Sequence, residues 1–151
     1  MKKIIMILVV AFAALACNDE IKYNIPYAPV NLKLDLNYLD ADLIPQGNYK
    51  VFTTGRASAE RVGYGGILVI HGFGSIDNKI NLYAYDLACP NEVDREIRVV
   101  PNSSGQAVCP ECGAVFSIST GDGHPLSDAE YSLRPYKVLS LAGERQYKVS
   151  N

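Results

Sequence analysis

The chain has 151 residues, with 14 Lys and Arg against 16 Asp and Glu and a formal net charge of −2 at pH 7. This near balance, with no basic cluster, argues against a nucleic-acid partner held through phosphate contacts. The length suits one domain with a modest core, and no Ser/His/Asp set, phosphate-binding loop or dinucleotide fingerprint is present.

Met1–Ala16 reads as a leader to be set aside in fold reasoning: Lys2 and Lys3 precede the apolar run Ile4–Ala16. That run is shorter than the about 20 residues that span a bilayer. It ends in Ala14-Leu15-Ala16-Cys17, a permuted lipobox, which predicts Cys17 as the lipidated first residue of an exported protein tethered to a bacterial membrane. The alternative is an ordinary signal peptide with an incidental cysteine. Asn18–Pro29 is polar, carries two prolines and reads as a tether to a β domain over residues 30–151.

Val30–Leu36 alternates apolar and polar residues, the period of a half-buried strand. Asp40–Asn48, with Pro45 and Gly47, reads as a loop. Tyr49–Thr53 is a short strand followed by a charged loop through Arg61. Gly65–His71 and Lys79–Leu87 are two β-rich runs joined by a Gly-containing turn. Glu96–Val100, Ala114–Ser119 and Tyr136–Leu141 continue the pattern, and Gln146–Ser150 closes a terminal hairpin across Ala142-Gly143-Glu144. No ten-residue window shows a helical stripe, so the predicted class is all-β. Tyr83 and Tyr85 alternate with apolar residues and read as cross-strand packing, while His71 is expected at a strand end, at the surface or in a local hydrogen bond.

The chemistry concentrates in Cys89–Gly113. Cys89-Pro90-Asn91-Glu92 and Cys109-Pro110-Glu111-Cys112 look like two versions of one turn, each fixed by proline after the cysteine. With Cys17 assigned to lipid, three cysteines remain, an odd and clustered set that suits a metal-type site better than simple bridging.

Taken together, GGILVIHG, LYAYDLACP and CPECGAVFSISTGDGHPLSDAEYSLRPYKV resemble a Rieske iron–sulfur domain over at least Gly65–Val149. Gly113, Phe116, Gly121, Gly123, Pro125, Leu133, Tyr136 and Val138 follow in the family's order. The resemblance implies stacked antiparallel sheets with a small cluster-binding subdomain, about residues 89–127, inserted in a larger β base. It also implies that Cys89 and Cys109 hold one iron of a [2Fe–2S] cluster. The two histidine positions of the family are occupied here by Asn91 and Cys112. Cys112 can serve as a ligand, whereas the neutral amide of Asn91 is a poor one. His124, Glu92 or water are candidates for the remaining bond.

Four readings of the site stay open. The three thiolates plus one donor could hold a [2Fe–2S] cluster, giving a one-electron carrier that serves a redox partner protein. They could hold one tetrahedral Zn²⁺. Two cysteines could pair as a disulfide in a cluster-free binding or structural module. A thioredoxin-like dithiol at Cys109 and Cys112 is disfavoured, because that chemistry wants a helix N-terminus and the residues after Cys112 are strand-like. An oxygenase is disfavoured too: two histidines and no second domain leave no separate catalytic iron site. Whether the protein is an enzyme stays open, with a carrier or binding module preferred over a stand-alone catalyst.

Overall fold

The computed structural model of the protein describes residues 21–74, 79–127 and 129–151. The leader, Cys17 and the first part of the expected tether lie outside the described residues. In chain order the elements are β1 (Val30–Asp35), a 3-10 turn (Ala41–Leu43), β2 (Tyr49–Phe52), β3 (Arg61–Val62), β4 (Ile67–His71), β5 (Leu82–Asp86), β6 (Val100–Pro101), β7 (Gln106–Val108), β8 (Val115–Ser117), β9 (Pro135–Ser140) and β10 (Gln146–Ser150). The protein is all-β, as its short alternating runs predict. No helix among the described residues is long and apolar enough to cross a membrane.

Seven strands form one antiparallel sheet in the order β2-β4-β5-β9-β10-β1-β3, and β6-β7-β8 form a second, smaller sheet. In sequence, the small sheet is an insertion between β5 and β9. β4 sits at the centre of the architecture. All five of its residues are buried, which is why Ile67–Ile70 reads as a continuous apolar run rather than an alternating one. Ile67 and Val69 join Leu82 and Ala84 of β5 in a first core with Leu32, Leu34 and Leu36. Leu68 and Ile70 face the other way, joining Tyr85 and Leu87 in a second core beneath the small sheet. The β4–β5 hairpin is thus a wall with a core on each side.

β1 shows the simpler case: Val30, Leu32 and Leu34 are buried and Lys33 is exposed, the period-2 pattern of a strand wet on one face. The stretch through Arg61, expected as a loop, contributes the two-residue β3 against β1. The expected strand Glu96–Val100 is displaced. Its N-terminal part makes a single bridge, Ala88 to Arg98, and the ladder proper is β6. Residues 21–29 precede the first strand yet lie against the domain. Ile25 is buried, its carbonyl accepts from the Arg134 guanidinium, the Lys22 carbonyl accepts from Ser132 N–H at 2.9 Å, and the Asn24 amide donates to the Pro90 carbonyl at 3.2 Å.

Candidate metal centre

Two hairpin tips meet because of how the small sheet is wound. After Cys89 the chain turns back: Cys89 N–H donates to the Ile97 carbonyl and Val99 N–H to the Leu87 carbonyl, both at 2.9 Å. β6 carries the chain away from this tip, and β7 returns antiparallel to it, with Val100 opposite Val108. The β7–β8 hairpin therefore opens at the same end, with Cys109 N–H donating to the Ala114 carbonyl at 2.9 Å. Antiparallel winding alone places Cys89 beside Cys109 and Cys112.

The first tip is braced by Asp86, at the end of β5 and fully buried. Its carboxylate accepts from Tyr64 N–H (2.7 Å), Gly65 N–H (3.0 Å), Ala88 N–H (2.8 Å) and the Tyr136 hydroxyl (2.6 Å). A buried charge is tolerable when hydrogen bonds replace its hydration, and here three of the four come from backbone on either side of the tip. The Tyr136 hydroxyl is correspondingly held above its ordinary pKa, by burial and by the Asp86 charge. Gly65 lies so close that a Cβ would stand 2.6 Å from Ala88 N, so only glycine lets this loop reach the residue before Cys89.

The two cysteine turns share a backbone. Val93 N–H donates to the Cys89 carbonyl at 3.0 Å, and Gly113 N–H donates to the Cys109 carbonyl at 3.0 Å. The residue closing each turn is left-handed, Val93 at φ 54° and Gly113 at φ 73°. Glycine adopts that conformation at no steric cost, whereas a β-branched residue rarely does.

The three sulfurs lie within 4.8 Å of one another, with Cys89 Sγ and Cys112 Sγ at 3.7 Å and no bond between them. Cys89 and Cys109 are buried members of the second core, and Cys112 is exposed. Burial pushes the Cys89 thiol up to about 12, against the pull of the Asn91 and Glu92 backbone N–H groups on its sulfur. At Cys112, partial burial also opposes ionisation, but the Ala114 N–H, the Cys109 and Cys89 thiols and the Asn91 amide outweigh it and hold the thiol below its usual value. Backbone and side-chain N–H groups aimed at sulfur are what a thiolate needs once it carries charge. The donor set and spacing fit a metal ion.

Asn91, expected to be a poor ligand, is at the site but not as a donor of electrons: its Nδ2 donates to Cys112 Sγ at 3.7 Å. Glu92 is exposed; its backbone N–H faces the Cys89 sulfur, while its carboxylate has no hydrogen bond or ion pair among the described residues and lies outside the sulfur group. His124 is likewise outside that group. Its carbonyl accepts from Ser117 N–H at 2.9 Å, which sets it three residues beyond Ala114 along the β8 ladder. Its ring Nδ1 is held by both oxygens of Asp122 at 2.9 Å.

His71 is buried rather than at the surface, with Nδ1 bonded to the Ile44 carbonyl at 2.8 Å. Tyr83 and Tyr85 pack as expected, and Tyr85 adds a tie to the insertion by accepting from Gly121 N–H at 2.9 Å. Asp86 is the site-building residue that pattern reading passes over. Its one signal is a lone carboxylate inside the apolar run LYAYDLA. Compared with protein-family models, with curated proteins and with solved structures, the chain matches none.

Proposed function

We propose that this protein is a metal–thiolate protein in which Cys89, Cys109 and Cys112 hold a single Zn²⁺ ion that ties the two turns of the inserted sheet together. The observation that carries this reading is the mutual closeness of all three sulfurs, within 4.8 Å. At a metal–sulfur distance of about 2.3 Å, tetrahedral geometry sets two sulfurs roughly 3.8 Å apart, and the Cys89–Cys112 separation is 3.7 Å. A two-iron cluster divides its ligands between two metals, so a thiolate on the second iron stands farther from the first pair than thiolates sharing one ion do. In this reading the ion is structural, and the expected leader and lipidated Cys17 would tether the module to a bacterial membrane on its periplasmic or cell-surface side.

The second reading is the one-electron carrier, with a [2Fe–2S] cluster and a redox partner protein. It is favoured by the Rieske-like order of residues from Gly65 to Val149 and by the exposure of Cys112, which would bring a cluster edge to the surface. Metal analysis of protein purified from medium replete in both iron and zinc separates the two. One ion per chain, with all three thiols unreactive until a chelator is added, is the expected result. Two irons with acid-labile sulfide would establish the carrier instead. Metal-free protein with one titrating thiol would establish a disulfide module.

A further inference from the structure

The shared backbone of the two turns has a consequence for the fourth corner of the site. Cys112 is the fourth residue of its turn, held between the Cys109 carbonyl and the left-handed Gly113 that closes onto it. The same place in the first turn, between the Cys89 carbonyl and the left-handed Val93, belongs to Glu92. Val93 adopts this conformation although it is β-branched, against its steric preference. Local propensity therefore does not dictate this shape.

We infer that the two turns are copies of one metal-binding knuckle and that the carboxylate of Glu92 supplies the fourth ligand, making a Cys₃Glu site. The inference rests on the single-ion reading above. A carboxylate oxygen is an ordinary zinc ligand at about 2.0–2.2 Å. Glu92 is exposed and its carboxylate has no partner among the described residues, so no contact holds its side chain away from the ion. Its arm is longer than a cysteine's and must fold back to reach the corner, which Cys112 meets directly. His124 has no such role, because its paired strand carries it along β8 and Asp122 holds its ring.

The test uses Zn²⁺ affinity, measured by chelator competition, and the absorption spectrum of the Co²⁺-loaded full domain. Glu92→Gln should weaken Zn²⁺ binding by at least about tenfold, since loss of even an outer-shell partner costs 10–100-fold. Glu92→Cys should bind more tightly and raise the sulfur-to-cobalt charge-transfer intensity from that of three thiolates to that of four. Glu111→Gln, which alters the other exposed carboxylate of the turns, and His124→Ala should match wild type. A Glu92→Gln protein with wild-type affinity and spectrum, or loss of binding in His124→Ala, would overturn the assignment while leaving the three-thiolate site standing. Failure of wild type to bind either metal would overturn both.

Discussion

At the scale of single residues, Asp86 and Cys89 pull in different directions. Asp86 ends β5 with a buried carboxylate satisfied by three N–H groups and one hydroxyl. Asp86→Asn turns one acceptor oxygen into a donor facing donors. Breaking a buried, hydrogen-bonded charge costs about 3 kcal/mol or more, and urea unfolding of the metal-free protein should show a loss of that size. Cys89 makes the apo protein sensitive to alkali. Its thiol is held up to about 12 in the fold, from 9.0 for an unperturbed thiol, so the unfolded chain releases that proton first. Stability from this group is complete below about pH 9 and falls as pH rises toward 12. Cys112, held low, acts in the opposite sense below that window. Tyr85 and Tyr136, both held up by burial, add their own loss from about pH 10 upward. Apo Cys89→Ala, measured by urea unfolding between pH 9 and 10, should lack the decline that wild type shows there.

At the scale of elements, the inserted sheet depends on few ladder bonds. β6 has two residues, and β7 and β8 have three each. Such strands gain little from pairing alone and rely on the second core and on whatever joins their tips. Removing the metal is therefore expected to loosen the turns and spare the wall. Hydrogen exchange after chelation should speed up at the amides of Asn91, Glu92, Val93, Gly113 and Ala114. Amides of β4 and β5 should keep their wild-type rates. Equal acceleration in both regions would mean that the ion holds the whole fold rather than the insertion.

The same shortness explains what could be read from the chain and what could not. β4 was legible because Ile67–Ile70 is apolar on both faces, and β1 because Leu32 and Leu34 alternate with Lys33. β3 and β7 are too short to show a period at all. The twin turns were visible as Cys-Pro repeats, but their shared left-handed closure was not, since Val93 gives no sequence sign of a positive φ. Asn91 was read as a weak ligand, and its place at the site is set instead by the Cys112 sulfur that its amide faces.

At the scale of the whole molecule, one wall serves two cores. The base holds β1, β9 and β10 on one side, and the insertion covers the other, so the metal end is anchored to β4, the most buried strand among the described residues. Residues 22–25 run across to the insertion and meet the first cysteine turn through Asn24 and Pro90. The chain that precedes the first strand is thereby fastened next to the site. The proposed function puts one compact ion at the junction of two tips, where the carrier reading would put a two-iron cluster. The most direct test is X-ray absorption at the edge of whichever metal the purified protein carries. The account predicts three sulfurs in a shell at about 2.3 Å, a lighter donor completing four-coordination, and no metal neighbour. A short metal–metal vector would contradict it.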